Sequence, residues 1–197
     1  MQMFSKAIVL AAFGFFPLAA GAAPLTVVDV GAPAINCVFN VTCTVVVNDS
    51  VGNFTPPGDS AGSRLQSRTY PGTAPAPAAG ALAYVYRVDM TAAQAVTAPN
   101  CVTKLTIDFG PVVKMPYSPN GLADVFVVTS GGLGSVVVAS ADQTGSNITF
   151  TFAAGGVCPG ATSYFFGLTS KSTVPQPGVA NLTYSLGGGG ATVDRRP

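Results

Sequence analysis

Between Asn147 and Phe152 the chain reads NITFTF: Ile148, Phe150 and Phe152 occupy every second position, opposite Asn147, Thr149 and Thr151. This period of two constrains the fold more than any other feature of the chain. Successive side chains of a strand point to opposite faces, so such a run buries one face and wets the other. The pattern recurs. In TKLTIDF, Leu105, Ile107 and Phe109 oppose Lys104, Thr106 and Asp108. In YVYRVDM, Tyr84, Tyr86, Val88 and Met90 oppose Arg87 and Asp89, and in NLTYSL, Leu182, Tyr184 and Leu186 share one face. DVFVVTS and SVVVAS are apolar on both faces and fit central strands, with GGLG at 131–134 read as a hairpin turn between them. With LTVVDV at 25–30 and SYFFGLT near 163–169, about nine or ten short strands are expected, which fits an all-β, two-sheet antiparallel β-sandwich. Helix is expected for no more than one turn, at TAAQAV (91–96). An outer-membrane barrel is the rival. It needs strands of about ten residues and aromatic girdles, and these runs are mostly shorter.

Lys6 precedes an apolar run from Ala7 to Leu18, and Ala20-Gly21-Ala22 supplies small residues at the spacing a signal peptidase reads. The run is too short to span a bilayer and has the length of a signal-peptide core. The reading is a signal peptide over 1–22 with cleavage before Ala23, and no transmembrane anchor in the mature chain. A secreted protein results, extracellular, periplasmic or at the cell surface.

Export decides how the four cysteines are read. Cys37, Cys43, Cys101 and Cys158 all follow the leader, and outside the cytosol an even number of thiols implies disulfides. A zinc site lacks partners, since the chain contains no His and no Glu and its cysteines show no paired knuckles. Three connectivities are open. From Ile35 to Val47 the odd positions are Ile, Cys, Phe, Val, Cys, Val and Val, with mostly Asn and Thr between. One unbroken strand would be far longer than usual, so a hairpin turning at Asn40 is expected, with Cys37 facing Cys43. That leaves Cys101 to pair with Cys158.

The segment 23–186 reads as a single domain. The stretch PGTAPAPAAG at 71–80 reads as a mobile Pro/Ala-rich loop, and 187–197 as a flexible Gly-rich tail. Arg64 and Arg68, in RLQSR, read as a solvated loop basic pair open to trypsin.

The missing residue types limit the chemistry. Without His there is no Ser-His or Cys-His pair, and without Glu, with Asp scattered singly, paired carboxylates have no obvious source. GGLG is followed by neither Lys-Ser nor Lys-Thr and by no helix, so it is no phosphate loop. Asp49 and Asp142 lack the dense oxygen spacing of a calcium loop and read as turn residues. The chain carries nine basic and eight acidic groups, and Lys6 lies in the leader, so the mature surface offers no electrostatic case for nucleic acid. There is no Trp, and Tyr70 and Tyr117 are the aromatics expected in loops, where they would be possible ligand contacts. No cofactor, metal or catalytic residue is expected.

The expectation is a secreted, non-enzymatic protein with a structural or adhesive role in a surface, matrix or filament, its partners being itself or other extracellular components. A small-ligand or glycan-binding module is the alternative, and a hydrolase the second. In size, export signal, neutrality and cysteine use the chain resembles bacterial surface and fimbrial subunits, a resemblance of composition that rests on no motif.

Overall fold

The computed structural model describes residues 21–197, so the leader read at 1–22 lies almost wholly outside the described residues. In chain order the elements are β1 (Ala23–Leu25), β2 (Val27–Gly31), α1 (Ala32–Phe39), β3 (Asn48–Phe54), β4 (Ser63–Pro71), β5 (Leu82–Asp89), β6 (Val102–Asp108), β7 (Met115–Ser118) and β8 (Gly121–Ala123). They continue with β9 (Val125–Ser130), β10 (Val138–Thr144), β11 (Asn147–Phe152), β12 (Phe165–Ser170), β13 (Gln176–Tyr184) and β14 (Gly187–Arg196). Two six-stranded sheets face each other, ordered β1-β10-β11-β6-β13-β14 and β2-β9-β12-β5-β4-β3. Pairing is antiparallel except between β2 and β9. The expected sandwich is therefore present, with fourteen strands among the described residues where nine or ten were expected, because the edge run divides in two and short pairs such as β7–β8 and strands such as β3, β4 and β14 carry too little apolar alternation to be read locally.

The alternating runs explain the main core. Tyr84, Tyr86 and Val88 of β5 and Val125 and Val127 of β9 meet Leu105, Ile107, Ile148, Phe150 and Leu182 of the facing sheet, all at 2% exposure or less. At roughly 2 kcal/mol for each large apolar side chain buried, this layer dominates the stability. The buried Tyr84 and Tyr86 hydroxyls each donate to a backbone carbonyl, of Ser172 and Arg195, so the core leaves neither unsatisfied.

One edge is shared between the sheets. The run LTVVDV divides at Thr26, with β1 in one sheet and β2 in the other. At the opposite edge β3 and β14 lie so close that a side chain on Gly52 would run into the Thr192 carbonyl. Ser50 Oγ donates to the Asp194 carboxylate, and Arg195 Nη2 donates to Asn48 Oδ1 at 2.6 Å, tying the two edge strands together.

Several sequence expectations are corrected. Residues 32–39 form a helix, not a hairpin arm: Pro33 sits in the first turn, where its missing amide costs nothing, and Ile35, Val38 and Phe39 make a buried stripe at helical spacing. GGLG is no hairpin turn, because β9 and β10 belong to different sheets and the glycines carry the chain across. Arg64 and Arg68 lie in β4, bonded on both sides by β3 and β5. The Gly-rich end is strand β14, paired with β13 from Tyr184↔Gly187 to Gln176↔Arg196. The Pro/Ala stretch packs against α1: Thr73 N donates to Phe39 O and Ala78 N to Val38 O, with Ala76 and Ala78 buried.

This packing adds a partial third layer. The helix, the 71–81 segment and the β7–β8 hairpin cover part of the outer face of the second sheet. Phe39, Tyr70, Tyr117, Phe126, Val85 and Val128 form a second core there. The outward positions of β5 and β9 are buried for this reason, which also accounts for a run apolar on both faces.

Candidate binding groove

Both disulfides form with the expected pairing, Cys37–Cys43 and Cys101–Cys158. The shorter one works differently from a hairpin staple. It ties the last turn of α1 to a tight turn in which Cys43 N donates to Asn40 O, the Asn40 side chain accepts from Thr42, and Cys43 takes a left-handed backbone with φ 57°. The chain is thereby sent back along the helix, and Val45 and Val47 come to wall a groove.

The groove has a volume of about 350 Å³. Its lining includes Val85, Val128 and Phe165 from the sheet, Ile35 from α1, and Leu133 from the 131–133 crossover. Arg68 also lines it. Val46, Val47 and Leu133 are exposed, at 82%, 43% and 63%. Aliphatic side chains gathered around an apolar depression are uncommon on an ordinary solvated surface and mark interaction sites.

Two guanidinium groups converge on Phe165. The central carbon of Arg68 lies 4.2 Å from the ring centroid and that of Arg87 4.9 Å. Register explains the convergence: Gln66, Arg87 and Phe165 are outward positions on adjacent strands, and Arg68 stands two residues along β4. Arg68 is bonded to Asp49 through Nε at 3.1 Å and Nη2 at 3.0 Å, and Asp49 also accepts from Gln66 Nε2 at 2.6 Å. Asp89 receives Arg64 at 2.9 Å and Arg87 at 3.4 Å. Burial raises the Asp89 pKa, but the Thr91 hydroxyl and amide, with Arg87 and Arg64, outweigh it and hold the carboxyl below its usual range. Burial lowers the Arg87 pKa; Asp89 opposes this, while Arg68 and Arg64 add to it. Three guanidiniums thus share two carboxylates on this face. The Arg87 Nε is buried without a partner, as is the Gln66 Oε1.

The aromatics picked from sequence lie elsewhere. Tyr70 and Tyr117 are buried in the second core, at 5% and 3% exposure, Tyr70 edge-on to Phe39 and Tyr117 bonded through its hydroxyl to Thr169 Oγ1 at 2.7 Å. Burial pushes both phenol pKa values far above the usual. Tyr70 still touches the groove as part of its floor; Tyr117 does not line it. Neither is an exposed platform, because Tyr70 lies beneath the third layer and Tyr117, within that layer, turns inward onto Phe126. Arg68 and Phe165, which sequence reasoning passed over, occupy the site. The available signal was that Arg64, Gln66 and Arg68 alternate with Ser63, Leu65 and Ser67, a strand with an unusually polar inner face. No group of three or more acidic or cysteine side chains is placed to hold a metal among the described residues. No helix among the described residues is long and apolar enough to cross a membrane.

Comparison with protein-family models, with curated proteins and with solved structures gave no match to this chain.

Proposed function

We propose that this is an exported, non-enzymatic β-sandwich protein with a structural or adhesive role at a cell surface, in a matrix or in a filament. The observation that carries the reading is how four of its eight carboxylates are held. Asp49, Asp89, Asp108 and Asp124 each take an Arg or Lys partner from another strand or from a neighbouring segment. Carboxylates used in this way join elements and are not held in a pair for acid–base work. The two disulfides fit an oxidising compartment and a protein that must persist outside a cell. Imaging native exported material with an antibody to the folded chain tests it. Label on the cell surface, matrix or filaments supports the role, and label confined to freely soluble monomer defeats it.

The groove over Phe165 favours a second reading, a module that binds a small ligand. Its apolar lining and few polar groups match the general make-up of ligand pockets. Calorimetric titration with small amphipathic molecules separates the two readings, since only the second requires saturable binding.

A further inference from the structure

We infer that the groove takes a small amphipathic anion, its apolar part over Val85, Val128 and Phe165 and its acid group on Arg68. The inference rests on the small-ligand reading and adds the sign of the ligand's charge.

The argument begins with the lining, which is aliphatic and aromatic apart from Arg68, Asn36 and backbone. An apolar chain entering it removes Val45, Val47 and Leu133 from water along with itself, which favours binding. The polar end of that ligand must then meet Arg68. A guanidinium has five donors in a planar fork. Asp49 takes the edge formed by Nε and Nη2, and Nη1 has no protein partner among the described residues. That remaining edge suits a carboxylate, sulfonate or phosphate. The surrounding charge agrees, because Arg64, Arg68 and Arg87 outnumber Asp49 and Asp89. A cationic head would gain nothing from Arg68 and would be repelled by it.

The geometry also supplies an opposing control. Asp49 bears the same sign as the ligand's acid group and offsets the Arg68 charge beside it, so removing the Asp49 charge raises the positive potential that meets the ligand. Its side chain is 40% exposed, and its loss is tolerable for the fold.

Calorimetric titration of the full mature chain with octanoate and with octylammonium, at pH 7 and low salt, tests the inference. Octanoate should bind at least tenfold more tightly than octylammonium. Arg68→Gln should abolish that preference, and Asp49→Asn should strengthen octanoate binding several-fold. Thermal melts of each variant establish that it is folded, and if Arg68→Gln fails to fold, the Asp49→Asn result decides. Equal binding of the two amphiphiles, or an Asp49→Asn variant with unchanged octanoate affinity, overturns the anion inference and leaves the groove reading standing. Absence of binding by either amphiphile at millimolar concentration overturns both.

Discussion

The backbone amide of Thr26 donates to the Asp124 carboxylate at 2.9 Å, at the one residue where the edge strand leaves one sheet and enters the other. Asp124 N in turn donates to Thr26 O at 3.1 Å. Neither sheet ladder can satisfy an amide at the crossing point, so a side chain does so. Asp124 is 4% exposed and pairs with Lys114 at 3.2 Å. Asp124→Ala should cost about 2–3 kcal/mol, because it leaves a donor at the crossing unmet. Hydrogen exchange should show β1 and β2 opening first, and an unchanged exchange rate there would contradict the role given to Asp124.

The disulfides should contribute unequally. Cys101–Cys158 spans 57 residues of sequence and Cys37–Cys43 spans 6. Chain entropy assigns the long loop about 4 kcal/mol and the short one about 2. Replacing each pair by serines and measuring urea midpoints should reproduce that order. The short-loop variant should also lose groove binding, since Val45 and Val47 would no longer be held in place.

Arg64 and Arg68 should resist trypsin in the native protein. They lie in a strand bonded on both sides, from Ser63↔Phe54 to Pro71↔Leu82, and a protease needs an extended segment free of its neighbours. Brief digestion should leave the segment between β3 and β5 intact. Rapid cleavage after either arginine would show that β4 is not paired as described.

Acid should weaken the Asp89 cluster. Its folded pKa is depressed, so its stabilising contribution is present above the ordinary carboxylate range and is lost as pH falls through the folded value. Asp89→Asn should lower stability at pH 7 by about 2–3 kcal/mol, leaving Arg64 and Arg87 without their shared charge. The difference from the parent protein should shrink in melts below about pH 4.

Alkali should act in the opposite sense through the tyrosines. Burial raises the pKa of Tyr70, Tyr84, Tyr86, Tyr117 and Tyr184 above the ordinary value of 10.0. Stability from these groups is complete below the unfolded value and declines as pH rises beyond it. Phenolate absorbance from these five residues should therefore appear together with loss of the far-ultraviolet β signal. Full ionisation of all five with that signal intact would show that they are open to solvent.

Much of the sandwich was legible because period two is a local property. NITFTF became β11 without change, and the alternating runs around Leu105, Tyr84 and Leu182 lie in strands β6, β5 and β13. The segment 32–39 was misread because it satisfies two periods at once. Ile35, Cys37 and Phe39 alternate, while Ile35, Val38 and Phe39 form a helical stripe, and only contact with the β2–β9 surface selects the second. β4 was passed over because its inner face carries Ser63, Ser67 and Thr69 where a core strand usually carries aliphatics. That face meets β14, whose small residues let the two strands approach closely.

The sequence by itself determined the strand class and the alternation of the core, since strand period depends on neighbours along the chain; it favoured the disulfide pairing through a hairpin that the helix at 32–39 replaces. Tertiary structure alone decided that one edge strand would serve both sheets and that a stapled helix would help cover part of an outer face. It alone set Arg68 and Arg87 over Phe165. Those residues are far apart in sequence, and their meeting depends on the order β12-β5-β4 and on its register. Register is fixed when two faces bury their apolar sets against each other, an energy that exists only once both sheets and the third layer are in place.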